Sequence, residues 1–334
     1  MHDYTRCYEK WYTDRTDEAE IFHSEIGWYN RFMQSTSQPG SNGHKQALHF
    51  HHPPRRVVSL VPSLTESMFD LGLGHVVVGV TDYCLHPADQ LQSLPRLGDV
   101  QNPRLPDILS LKPDLVLASW EDNTRQTVEA LEAAKVPVWV TYPQTVQQSL
   151  DVLWALAGIF QSQPASLRLK TLGLTLDWAV SAAEERKTQS YFCPLWFEQT
   201  SAGLAWWMTF NQHTYCHDLL HLLGGYNVFA ERQRRYPLEA DLGLAPPEDP
   251  GEADTRYPRV LLEDIRQAQP ELILLPSEPY PFDEDHRQLL YDWLAGTPAV
   301  QNDRLYLVDG SLITWPGTRL AYALRELPAL LSGE

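Results

Sequence analysis

The chain repeats one phrase at long range. Residues 105–119 read LPDILSLKPDLVLAS and residues 262–276 read LEDIRQAQPELILLP. Each copy is a short helical stretch, a proline followed by an acid (Pro113-Asp114, Pro270-Glu271), and an apolar run with the pattern of a strand buried on both faces of a parallel sheet. The copies lie about 157 residues apart, well beyond the roughly 20–50-residue period of a solenoid. Two similar α/β lobes satisfy the pattern, and a length of 334 residues holds two domains at roughly 100–200 residues each. Two lobes imply a cleft, and clefts are where small ligands bind.

The flanking segments extend the α/β reading. The first lobe spans residues 55–144, and its opening RRVVSLVP reads as a strand. Ser63, with Glu66 three residues on, has the pattern of a capping box at a strand-to-helix switch. That helix closes at Gly72 and Gly74. VVVGV is the next strand, residues 83–103 are mostly loop, TRQTVEALEAAK is a helix and VPVWVTYP a strand. This is the β-α-β alternation of a parallel sheet. Residues 145–188 are helical in pattern, broken once at Pro164; residues 165–187 hold no proline and predict a rigid strut, roughly 34 Å long at about 1.5 Å per residue.

The second lobe, residues 189–330, opens with SYFCPLWF as a strand and continues with a helix near TYCHDLLHLLGG. The second copy, the strand RLYLVDG and a helix in GTRLAYALRELPALL complete it. Residues 239–256 are acidic and rich in Pro and Gly, and read as a mobile surface insert. Residues 1–54 read as an appendage, with an amphipathic helix over 4–32 and a flexible linker over 35–54 that carries His44, His49, His51 and His52.

Composition narrows the function. A formal net charge of −17 argues against a nucleic-acid partner, whose phosphates it would repel. Cys7, Cys84, Cys193 and Cys216 are scattered with no CxxC pair, and are expected to be reduced, buried thiols. No apolar run approaches the roughly 18 residues of a membrane span. The first residues, charged and without a continuous apolar stretch, do not read as a signal peptide, which places the chain as written in the cytoplasm.

Catalytic motifs are missing: no nucleophile elbow, P-loop, dinucleotide fingerprint or HExxH. His217 and His221 share a helix face at i, i+4, with His213 and Cys216 nearby. His213 and His217 are weak metal candidates, and packing or capping explains them better. Aromatics are the stronger signal. Trp120, Trp196 and Trp315 fall just after predicted strands, with Tyr83, Trp206, Trp207 and Tyr257 in predicted loops. Ligands of α/β sheets sit outside the carboxyl ends of the strands, and aromatics there suit a bulky, flat ligand.

Taken in order, RVVSLVPSLTE, VVGVTDYCLHP, LKPDLVLAS, the long helix, LLGGYNVF and WPGTRLAYALRELP resemble the helical-backbone (class III) substrate-binding proteins of ABC importers, over about residues 55–330. The cobalamin-binding branch is the nearest likeness. The resemblance implies an α/β fold of two Rossmann-like lobes with parallel sheets joined by a single long helix. It also implies a bound cobalamin, haem or ferric siderophore, delivered to a membrane permease and its ATPase. By the same likeness, Tyr83 matches an aromatic that holds the corrin and Tyr257 falls where the vitamin binder has a Trp. Trp120 lies one place off another such aromatic, and Ser63 and Leu64 form the first strand-helix turn facing the ligand. Trp196, Trp207 and Trp315 enter by position at lobe edges.

The family docks through one acid per lobe: Glu263 matches the second, while the first falls on Pro106 with Asp107 beside it. The expected function is capture of cobalamin or a related corrinoid by a monomer that uses no catalytic cofactor. The alternative is a cytosolic carrier of haem, a ferric siderophore or another metal chelate. An enzyme using His86, His213 or His217 is a third, weaker reading.

Overall fold

The computed structural model describes residues 50, 52–200 and 203–332. The expectations for residues 1–49, His51 and Cys7 lie outside the described residues. The chain divides into two compact units. One ends at Leu174 and includes Trp315–Ala321; the other runs Thr175–Thr314 and resumes at Tyr322.

The first lobe contains, in order, β1 (Val57–Ser59), α1 (Pro62–Asp70), β2 (Val77–Val80), α2 (Ala88–Leu91), α3 (Leu105–Ser110), β3 (Leu115–Ser119), α4 (Arg125–Ala133) and β4 (Val138–Thr141). Its four strands are all parallel in the order β2-β1-β3-β4. β3 is buried along its whole length, each such Leu or Val contributing roughly 1.5–3 kcal/mol of apolar transfer. Helix α5 (Val146–Ile159) follows, and then α6 (Gln163–Glu184), within which the two units divide. The break between α5 and α6 comes at Gln161, whose φ is 50°, just ahead of Pro164 in the first turn of α6. Proline at that position starts a helix because its missing N–H would have had no helical partner.

The second lobe contains β5 (Gln189–Phe192), β6 (Trp196–Gln199), β7 (Ala205–Met208), α7 (Tyr215–Leu222), β8 (Gly225–Asn227), α8 (Leu238–Asp241), β9 (Arg259–Leu261), α9 (Leu262–Ala268), β10 (Leu272–Pro276), α10 (Glu284–Trp293), α11 (Pro298–Gln301), β11 (Leu305–Val308), α12 (Ser311–Thr314) and α13 (Leu320–Ser332). Its parallel sheet runs β8-β5-β10-β11, the first lobe's order again. The expected α/β class with parallel sheets therefore holds.

The repeat is physical as well as textual. In the first copy Asp114 accepts from the backbone N–H groups of Arg55 (2.8 Å) and Arg56 (2.9 Å), pinning the approach to β1. In the second, Glu271 accepts from the Ser190 N–H at 2.9 Å and from Lys187 Nζ at 2.8 Å, pinning β5. Lys112 and Gln269, two residues before each acid, both take the left-handed conformation, with φ of 46° and 50°. The loops after β2 and β8 also correspond. Each holds a cis X-Pro bond, His86-Pro87 or Tyr236-Pro237, followed directly by a four-residue helix.

Several expectations are corrected. No capping box forms at Ser63 and Glu66: the helix starts at Pro62 on a Val61 cap, and Glu66 pairs with Arg319 at 3.1 Å. SYFCPLWF is two strands, interrupted at Cys193-Pro194-Leu195, where proline offers no N–H to a ladder. The second of these, β6, joins β7 and β9 in an unforeseen antiparallel sheet. Trp206 and Trp207 lie in β7 and not in a loop. Residues 239–256 are tied down: buried Asp241 accepts from the Arg235 and Arg259 N–H groups at 3.0 and 2.8 Å, and Tyr236 Oη donates to Asp254 O at 2.7 Å.

Trp315–Ala321 belongs to the first lobe because it packs on α1. Gly317 lies so close that a Cβ would stand 2.4 Å from Ser67 Oγ. Thr318 donates to Asp70 Oδ2 at 2.7 Å. The Arg319–Glu66 pair is nearly sealed, with side-chain exposures of 10% and 8%. Removing one member of a buried ion pair costs about 3–5 kcal/mol because the other charge stays buried. Arg319→Ala is expected to lower the urea midpoint by a stability loss of that size, and a loss below about 1 kcal/mol would show that the pair holds nothing.

Candidate functional site

The carboxyl edge of the first-lobe sheet is a row of aromatic and turn residues, one set per strand. β1 runs into the α1 turn at Ser63 and Leu64, β2 into Tyr83, β3 into Trp120 and β4 into Tyr142. Ser63 and Leu64 have buried side chains (8% and 3% exposed), so what they present is first-turn backbone N–H, which has no acceptor within its own helix. Tyr83, Trp120 and Tyr142 are half-buried. Trp120 and Tyr142 face each other with ring centroids 6.1 Å apart, tilted by 55°. Trp315 meets exposed His86 edge-on at 6.1 Å, and the Arg319 guanidinium stands over its indole at 5.5 Å. The first lobe thus gathers Ser63, Leu64, Tyr83, Trp120 and Trp315 as expected. It adds Tyr142 and His86, which the search for aromatics at strand ends could have reached through VPVWVTYP and HP.

The floor of this face is well bonded. Asn123 accepts from the Ser119 N–H at 2.8 Å and donates to Val100 O at 2.7 Å, fixing the loop that carries Trp120. Cys84, beside Tyr83, is a free thiol held between Thr65 and Thr81, and burial pushes its pKa up. Cys193 and Cys216 are likewise free and buried.

In the second lobe the expected aromatics part company. Trp207 is 1% exposed and locked in the core against Phe197 (5.2 Å) and Trp293 (6.0 Å). It offers no face to a ligand because its strand places it opposite Phe197 inside the sheet pair. Trp196, 4% exposed, shows only an edge and packs T-shaped on Tyr280 at 5.2 Å. Tyr257 remains half-buried, with the Arg256 guanidinium 5.0 Å from its ring centre. Tyr280 was not singled out in the sequence. It follows β10 as Trp120 follows β3, and its hydroxyl lies 2.9 Å from His286 Nε2. His286 Nδ1 in turn lies 2.6 Å from Asp283 Oδ1.

α7 takes the place in the second sheet that α1 takes in the first, so His217, its third residue, corresponds to Leu64. His213 and His221 are exposed, while His217 and His221 stack nearly parallel at 5.6 Å. His217 Nδ1 is buried without a hydrogen-bond partner. Among the described residues no group of three or more His, Cys, Asp or Glu is arranged to hold a metal ion. Burial, then the neighbouring His221 and His213, lower the His217 pKa from 6.5 to about 4. Folded protein therefore binds this proton less readily than unfolded protein, and the stability so gained is whole above about pH 6.5 and lost as pH falls toward 4. His217→Gln is expected to flatten the decline of the urea midpoint between those values; parallel curves for the two proteins would remove His217 from the effect.

The docking candidates sit on the first turns of equivalent helices. Asp107 on α3 is 53% exposed and bonded to Arg104 at 2.7 Å. Glu263 on α9 is 65% exposed, with Arg266 at 3.7 Å. Such surface pairs are worth roughly 0–1 kcal/mol, so neither carboxylate is committed to its neighbour.

Comparison with known proteins places this arrangement. A family model described as Periplasmic binding protein matches residues 57–312. A vitamin B12-binding protein of Vibrio cholerae is 24% identical over 285 residues, covering 82% of this chain and 88% of the relative. The crystal structure of a periplasmic vitamin B12 binding protein of Vibrio cholerae superposes with a TM-score of 0.66 at 22% identity, covering 84% of this chain and 97% of that one. A periplasmic heme-binding protein of Roseiflexus superposes with a TM-score of 0.63 at 20% identity, covering 84% and 99%. Among the described residues no helix is long and apolar enough to cross a membrane.

Proposed function

The chain belongs to the periplasmic binding protein family, and from that premise we propose that it captures cobalamin or a related corrinoid and delivers it to an ABC importer. The observation that carries the reading is the row of half-buried rings at the carboxyl edge of the first-lobe sheet, Tyr83, Trp120 and Tyr142, flanked by Trp315. Rings contributed by neighbouring parallel strands make a broad apolar face at little entropic cost, suited to a flat macrocycle and poorly suited to a bare ion or a sugar phosphate. The likeness to vitamin B12-binding relatives points the same way.

Tyr257 supplies the matching ring from the second lobe, with Trp196 as its packed support. Binding alone is the activity proposed, with no catalytic cofactor; the metal belongs to the cargo. Glu263 and Asp107 are the proposed docking acids, each meeting an arginine of the permease. Function of this kind requires that the chain work on the outer side of the cytoplasmic membrane.

A second reading, a haem carrier with the same fold, is favoured by the likeness to a heme-binding structure. Calorimetric titration of the protein with cyanocobalamin, hemin and a ferric siderophore separates the readings. One-to-one, submicromolar binding of cyanocobalamin alone is expected. Tyr83→Ala and Tyr257→Ala should each weaken it by about 10-fold or more, equivalent to about 1.4 kcal/mol. Affinity unchanged in both variants would remove these rings from the site, and binding of hemin alone would replace the corrinoid by haem.

A further inference from the structure

The second lobe contains a group that an aromatic cradle does not need. Tyr280 Oη lies 2.9 Å from His286 Nε2, and His286 Nδ1 lies 2.6 Å from Asp283 Oδ1. The only roles that satisfy both contacts with Asp283 ionised have Nδ1–H donating to the carboxylate and the phenol donating to Nε2. Burial opposes ionisation of Asp283, yet hydrogen bonds from the His286 backbone and ring hold its carboxyl below the usual range. The imidazole stands edge-on among the rings of Phe197, Phe282 and Tyr280, at 5.7, 5.6 and 5.2 Å. A carboxylate, an imidazole and a hydroxyl in line form the arrangement that lets a hydroxyl surrender its proton at neutral pH.

A simpler role explains part of this. Asp283 is the N-cap of α10 and accepts from the His286 N–H at 3.1 Å. Capping accounts for the aspartate. It does not account for an imidazole at the third helical position or for a phenol on that ring's far nitrogen. The first lobe caps α4 at the same place with Thr124 and Thr127, hydroxyls 3.0 Å apart that both donate to Gln101 O. That cap needs neither a base nor a phenol.

We propose that Tyr280 is the second-lobe residue that binds the metal of the captured chelate, as a phenolate oxygen. His286 accepts its proton and Asp283 balances the resulting imidazolium. The inference rests on the chelate-binding reading above and adds a chemical requirement to it: a trivalent metal in a planar macrocycle with an exchangeable axial water. Phenolate is a hard oxygen donor suited to such a centre. The proton passes from Tyr280 Oη to His286 Nε2, and an oxygen lone pair forms the bond to the metal. The axial water leaves, and the metal keeps its oxidation state.

Ferric haem and aquocobalamin share that chemistry; cyanocobalamin, whose axial place is held by cyanide, does not. The test is titration of the full chain with hemin, aquocobalamin and cyanocobalamin, followed by visible absorbance between pH 5 and 9. Wild-type protein is expected to shift the spectrum of hemin or of aquocobalamin, and which one shifts identifies the source of the metal. Tyr280→Phe keeps the ring in its cluster but is expected to abolish that shift and weaken that ligand by about 10-fold or more, leaving cyanocobalamin affinity unchanged. His286→Gln keeps a bond to the phenol but accepts no proton, so the midpoint of the shift should move to higher pH. A chelate that binds Tyr280→Phe with wild-type affinity and spectrum overturns the inference and leaves the binding reading intact. Failure of wild-type protein to bind any of the three overturns both.

Discussion

Each sheet depends on one carboxylate placed where its central strand begins. A parallel strand cannot be registered by a tight turn to its neighbour, because the connection must cross back over the sheet. Asp114 and Glu271 supply the missing reference. Each starts a strand buried on both faces and reaches sideways to the backbone N–H of the strand beside it. The left-handed residue two positions earlier turns the chain out of the preceding helix so that the acid arrives there. With that register fixed, all four strands of a sheet end at the same edge, and the loops that end there become the binding face. The aromatic row of the first lobe is a consequence of strand registry as much as of the residues in it.

The same constraint explains what the sequence disclosed. A carboxylate with a fixed task, a left-handed position and a fully buried strand leave a local signature, and that signature was legible twice, at LKPDLVLAS and QPELILLP. Helix α6 was legible for a similar reason: a long stretch without proline can hardly be anything else. Pro164 was read as the break, while the turn itself is made at Gln161, whose positive φ carries no mark in a glutamine. The capping box at Ser63 and Glu66 had the right letters and failed because Pro62 starts the helix and Glu66 has a stronger partner 253 positions away in Arg319. Pairings at that distance leave no trace in local pattern.

The candidate site divides along the same line. Tyr83 and Trp120 could be found because they directly follow strands that the sequence announces. Trp207 could not be told from a site residue, since a tryptophan near a strand end reads alike whether it faces ligand or core. Its place was decided by β6, a strand hidden by Pro194, and by the resulting register opposite Phe197. Tyr280 was missed for the opposite reason. Nothing in SEPYPFDEDH announces chemistry, and the tyrosine, aspartate and histidine meet only because the helix cap folds His286 back toward Asp283 and leaves its outer nitrogen facing the phenol.

Duplication gave both lobes the same scaffold, and the differences between equivalent positions show where their tasks diverged. After the central strand of the first lobe comes Trp120, on a loop that Asn123 fixes, and the next helix is capped by two threonines. After the central strand of the second comes Tyr280, and the equivalent cap is built from an aspartate and a histidine. Scaffold alone cannot require that change, since both helices are capped competently. One lobe offers broad rings, which recognise a flat ligand by area. The other places a proton acceptor behind a single oxygen, which can recognise only something that responds to charge at one point. A metal macrocycle presents both features at once, a wide apolar plane and a charged centre, and an asymmetric pair of lobes is the economical way to read them.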